Sequence, residues 1–119
     1  MNMSMQVFNE QYVESTSSSD LGTITSSPVA ARGNKVVMAA TVINLAAAGS
    51  ETLSLQMQGS YDGKAWENTG TAIKASSFGY YDSSQANLDF AWIRIRAEGA
   101  SIGTSLKAVF DAFLAFSEQ

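Results

Sequence analysis

The chain has 119 residues, with eleven carboxylates, seven cationic side chains, no histidine and no cysteine. That absence removes whole classes of chemistry. A Ser-His-Asp triad, a Cys-His pair and a histidine-ligated zinc all need residues that are missing here. Paired carboxylates suffice for glycoside hydrolysis. Yet Glu67, Asp82, Asp89 and Asp111 fall in expected turns or on expected wet faces, where an acid is simply solvated. No G-x-x-x-x-G-K-[ST] or G-x-G-x-x-G run is present, so nucleotide binding has no support. The expectation is a protein that is not an enzyme, with no catalytic residue and no cofactor.

Two arrangements of side chains could still hold a ligand. Asp62, Asp82 and Asp89 offer hard oxygens of the kind calcium takes. Their spacing fits no EF-hand loop, and Asp62 before Gly63 reads first as a turn residue, so no metal site is expected. Tyr80, Tyr81 and Trp92, with Arg94 and Arg96, could stack on and hydrogen-bond a sugar. The plainer alternative has Trp92 covering a sheet end, with one tyrosine inward and the other outward.

Charge narrows the partners. The cations (Arg32, Lys35, Lys64, Lys74, Arg94, Arg96, Lys107) are scattered, and the net charge is −4. A phosphate backbone needs a basic stripe, so no nucleic-acid partner is expected. The longest apolar run, 36–48, is interrupted by Thr41 and Asn44 and is too short to cross a bilayer. The N-terminal segment lacks a basic region followed by an apolar one, so no cleaved signal is expected. Synthesis in the cytoplasm and release within a particle fit these features. Charged residues make up only 15% of the chain, against a usual ~25%. Such a surface suits packing into an assembly.

The elements that must position these residues read as β throughout. Residues 52–60 alternate strictly: Leu53, Leu55 and Met57 one way, Ser54, Gln56 and Gln58 the other. Asp62-Gly63 then marks a hairpin, with a return strand over 66–73. A strand over 90–98 has Ile93, Ile95 and Ala97 on one face and Trp92, Arg94, Arg96 and Glu98 on the other. Residues 35–45 are rich in β-branched side chains and apolar on both faces, as in a strand buried on both sides; the competing reading is a short helix. Gly33-Asn34 reads as a hairpin turn between 29–32 and 35–45. A last strand over 104–116 turns Leu106, Ala108, Phe110, Ala112, Leu114 and Phe116 inward. Its other face carries Val109, Phe113 and Ala115 among charges, apolar groups that a partner or the N-terminal segment should cover. Residues 5–13, with Val7 and Phe8, form a first strand or an extended arm, linked by the polar stretch 14–19.

The sum is one all-β domain: a single antiparallel, jelly-roll-like β-sandwich of about eight strands over 20–119, preceded by an N-terminal strand or arm and link over 1–19. The string Gln58-Gly-Ser-Tyr-Asp-Gly-Lys-Ala-Trp66, followed by Phe90-Ala-Trp-Ile-Arg-Ile-Arg96, resembles the S-x-D-G-x-x-W hairpin of discoidin-type, galactose-binding-like jelly rolls. It is also similar to small sandwich modules of tailed bacteriophages, in head-decoration, cement and tail-associated proteins. In this motif Ser60 and Asp62 hold the turn, Gly63 supplies positive φ and Trp66 covers the hairpin. The chain is short and has no cysteine pair, which sets it apart from the discoidin pattern. The phage resemblance implies a structural virion protein that self-associates, with a trimer expected, or docks on a larger shell through Val7, Phe8, Val109, Phe113 and Ala115. The discoidin resemblance implies the alternative, a carbohydrate-binding module with a glycan as partner, held by Trp92, Tyr80 and Tyr81 or by the loops beside Trp66.

Overall fold

A computed structural model describes residues 2–118. Along the chain it forms β1 (Asn2–Ser15), β2 (Ile24–Thr25), β3 (Val29–Ala30), β4 (Lys35–Ala47), β5 (Thr52–Ser60) and β6 (Glu67–Asn68). Then follow β7 (Ile73–Ala75), β8 (Gly79–Asp82), β9 (Ala86–Asn87), β10 (Trp92–Ala100) and β11 (Leu106–Ser117). Every pairing between them is antiparallel.

The first sheet runs β1-β11-β4-β8, with β9 continuing β8 along β4. The second runs β2-β10-β5-β6, with β3 continuing β2 along β10 and β7 continuing β6 along β5. The eleven segments therefore act as eight strands. Numbered along the chain, these lie 1-8-3-6 over 2-7-4-5. This is the jelly-roll order, two interlocked Greek keys closed face to face.

Strand chemistry explains the elements. β4 is a strand because Val36, Val37, Thr41, Val42 and Ile43 pack well on a pleat and lose χ1 freedom in a helix. Val36, Met38, Ala40 and Val42 are buried, while Val37 and Ala39 are only half-buried and Thr41 and Ile43 are exposed. The strand is thus covered on one face only, not on both. The expected inward sets of β5, β10 and β11 are all buried. They meet across the sandwich, where Phe8 and Phe110 pack edge to face at 5.1 Å. A twelve-residue strand such as β11 spans about 40 Å, so the first sheet covers the 42 Å long axis of the molecule.

One expectation is corrected, and one alternative is decided. Gly33-Asn34 is a turn, with Gly33 at φ +73°, but it closes no hairpin. β3 pairs with β10 and β4 with β11, so the turn carries the chain from one sheet to the other. Of the two readings of the N-terminal segment, a first strand or an arm, the structure has the strand. β1 pairs with β11 from Asn2↔Ser117 to Ser15↔Leu106 and lends Phe8, Val13 and Ser15 to the interior.

Candidate functional site

The hairpin motif is built as its residue types require. The Ser60 hydroxyl oxygen accepts from the Gly63 amide at 2.8 Å and the Asp62 amide at 3.3 Å, and its own proton is donated to Asp62 Oδ1 at 3.1 Å. Asp62 Oδ1 also accepts from the Lys64 amide at 2.8 Å and the Ala65 amide at 3.0 Å. These bonds, with Ala65 contributing most, hold the Asp62 carboxyl below its ordinary value. Gly63 sits at φ +79°. Asp62 is therefore engaged by its own turn, and among the described residues no three acids gather where a cation could sit. Asp82 lies on β8 of the other sheet.

The five-residue sugar platform is divided by the fold. Tyr80 and Tyr81 lie on β8 of the first sheet, while Trp92, Arg94 and Arg96 lie on β10 of the second. Tyr81 packs against the core, and its hydroxyl donates to the Ser77 carbonyl at 3.0 Å; Tyr80 points outward, 67% exposed. Both arginines have local partners, although the buried Nε of Arg96 is left without one among the described residues. Arg94 Nε donates to Gln58 Oε1 at 2.9 Å, and its guanidinium lies 4.2 Å from the Trp66 ring centroid. Burial, then the charge of Arg96, lowers the Arg94 pKa from its ordinary value. Arg96 pairs with Glu98, whose other oxygen accepts from the Thr23 hydroxyl. On the outer face of the second sheet, Arg94 and Arg96 are thus held by neighbouring side chains of their own sheet.

The outer face of the first sheet differs. On β11, Val109, Phe113 and Ala115 are half-buried and point away from the core. Phe113 is flanked by Ala39 of β4 and Gln6 of β1, and Ala115 by Val37 and Ser4. Val109 lies between Tyr12 and Asn44. Tyr12 and Ile43 add exposed apolar area, at 48% and 49%. A shallow cleft of about 200 Å³ opens between Tyr12, Asn44, Ala46, Lys107 and Val109. The sequence reading identified the β11 part of this face but missed Tyr12, Val37, Ala39 and Ile43. For Val37, Ala39 and Ile43 the signal was the apolar second face of β4. Of the N-terminal pair, Val7 is half-buried against the core, and Phe8 is a core residue rather than an interface residue. The reason is a register shift between Gln6 and Phe8, which sets Phe8 opposite Ala112 and turns it inward.

No family model matches the chain, and no curated protein does. Solved structures do match. The PBSX exported protein XepA superposes with a TM-score of 0.68 at 14% identity, over 98% of this chain and 37% of its own. A protein of the T13 particle of infectious bursal disease virus gives 0.58 at 13%, over 98% and 31%. VP2 of that virus, in a subviral particle, gives 0.56 at 10%, over 98% and 32%. The likeness is one of fold. This chain spans about a third of the length of each of these proteins.

Proposed function

We propose that this protein is a structural component of a virion, a capsid decoration, cement or tail-associated subunit that self-associates or docks on a larger shell. The observation that carries the reading is the outer face of the first sheet. It spans four strands, and on it Val37, Ala39, Val109, Phe113 and Ala115 form a half-buried apolar band beside the exposed Tyr12 and Ile43, with charged groups such as Lys107 and Asp111 between them. The fold supports the reading, since solved proteins with this sandwich include those of virus particles. Closed symmetry is expected, as a trimer if the face meets a different patch of its neighbour and as a two-fold dimer if it meets its own copy. The role is passive: apolar sheet faces bind neighbours, and the particle gains mechanical stability.

Light scattering of the purified chain tests this, alone and after addition of Phe113→Asp or Val109→Asp. A defined oligomer that falls to monomer in either variant, with the melting temperature kept, is the expected result. An oligomer unchanged by both substitutions would place the contact elsewhere. A strict monomer that also fails to bind preformed shells would end the structural reading. The carbohydrate alternative through Tyr80, Tyr81, Trp92, Arg94 and Arg96 gains nothing from the geometry, because those side chains lie on two sheets.

A further inference from the structure

The tip of the Asp62-Gly63 hairpin holds a cleft of about 190 Å³ that the assembly reading leaves unused. Tyr61, Trp66 and Phe90 line it, with Asp62 and Glu67. The Tyr61 and Phe90 rings lie 4.9 Å apart, inclined by 39°, and Phe90 rests against Gly59 with no room for a β-carbon between them. Tyr61 is 68% exposed, so its ring is available from solvent.

The chemistry of this lining is one-sided. Its only charged groups are the two carboxylates, and no cationic side chain lines it. Asp62 directs Oδ1 to its own turn. Glu67 is exposed and makes no side-chain hydrogen bond or ion pair with the described residues. The Ser60 hydroxyl is spent on Asp62, which leaves the Tyr61 hydroxyl and the Trp66 indole as side-chain donors. A sugar ring needs donors and acceptors in comparable number. Aromatic rings beside carboxylates attract an ammonium or guanidinium group instead. The Arg94 guanidinium already lies 4.2 Å from the Trp66 ring centroid, so the exposed Tyr61 ring is the one left for a ligand cation. The volume is below the ~300–1,000 Å³ of ordinary small-molecule sites, so it admits the end of a side chain or a small amine.

We propose that this cleft binds an organic monocation, the ammonium or guanidinium end of a free amine or of a partner's side chain. It lies on the second sheet's hairpin, away from the proposed assembly face, so its failure and the failure of that reading are separable.

The test is a titration of the nitrogen-15-labelled full chain with choline chloride, N-acetyl-lysine methylamide and N-acetyl-arginine methylamide. The amides of Gly59, Asp62 and Glu67 and the indole of Trp66 are followed by NMR. Saturable shifts at these groups from at least one cation are expected, with none from methyl glucoside. Tightest binding by choline assigns a free amine; tightest binding by the lysine or arginine probe assigns a protein side chain. Glu67→Gln should weaken binding by up to about fivefold, and Tyr61→Ala by about two- to fivefold. Both side chains are exposed, so both variants should keep the wild-type melting temperature. No saturation by any cation, equal shifts from methyl glucoside, or unchanged affinity in Glu67→Gln would overturn the proposal.

Discussion

Glu51 shows how a single side chain can serve two loops at once. It is buried, 5% exposed, and accepts from the Gly49 amide at 2.7 Å, the Gly103 amide at 3.2 Å and the Thr104 amide at 3.3 Å. The turn after β4 and the turn after β10 are thereby tied at one end of the sandwich. The Gly49 bond, then that from Thr104, holds the carboxyl below its ordinary value near 4.5. A lowered folded value means stability that is present above the unfolded value and lost as pH falls through the folded one. The melting temperature of the wild type should therefore drop more steeply from about pH 6 to about pH 2.5 than that of Glu51→Gln. Parallel curves would show that the carboxylate contributes nothing. Gly59 gives a steric counterpart. A β-carbon there would lie 2.2 Å from the Phe90 ring. Gly59→Ala must swing that ring away, at a cost of about 1–3 kcal/mol in urea denaturation. Adding Phe90→Ala removes the clash, so the double variant should lose less than the sum of the two singles.

At the scale of elements, β11 is flanked by irregular neighbours on both sides. β1 shifts register between Gln6 and Phe8 and again between Phe8 and Gln11, and β4 shifts opposite Val109–Phe110. Glu10, in the second shift of β1, sits at φ +46°, and its amide donates to Asp111 Oδ1 at 2.6 Å. A non-glycine residue there costs of order 1 kcal/mol. Glu10→Gly relieves this but adds entropy to the unfolded chain, and a gain of up to about 1 kcal/mol in urea denaturation is expected. A loss would mean that the Glu10 side chain itself stabilises the bulge. These shifts also explain what the sequence could not disclose. β5, β10 and β11 were legible because each has one buried and one wet face, so period-two alternation fixes which side chains turn inward. Val7 and Phe8 were not, because a bulge breaks that alternation without changing composition. The Gly33-Asn34 turn was visible, but turn chemistry encodes a reversal of direction and not the partner on either side. Gly33 packs against the Ser117 carbonyl, a contact that only the closed sandwich creates.

For the whole molecule, the same limit applies to the candidate interface. An apolar second face reads identically in sequence whether a layer of the same chain covers it or a separate chain must. Val109, Phe113 and Ala115 stood out because charges alternate with them on β11; Val37 and Ala39 on β4 had no such contrast. What the sequence left most open was the standing of residues 1–15. In the structure β1 closes the edge of the first sheet, and it pairs with the last strand, β11. Removing it would leave one edge of the twelve-residue β11 unpaired and empty the places of Phe8 and Val13. Loss of a buried phenylalanine alone costs about 3–5 kcal/mol, against a usual total stability of about 5–15 kcal/mol. A chain lacking residues 1–15 is therefore expected to lose cooperative unfolding and to aggregate through the bared strand. The check is a thermal melt by circular dichroism with parallel light scattering. A truncated chain that stayed soluble and melted at the wild-type temperature would make β1 a detachable arm, and would move the proposed contact from the sheet face to that arm.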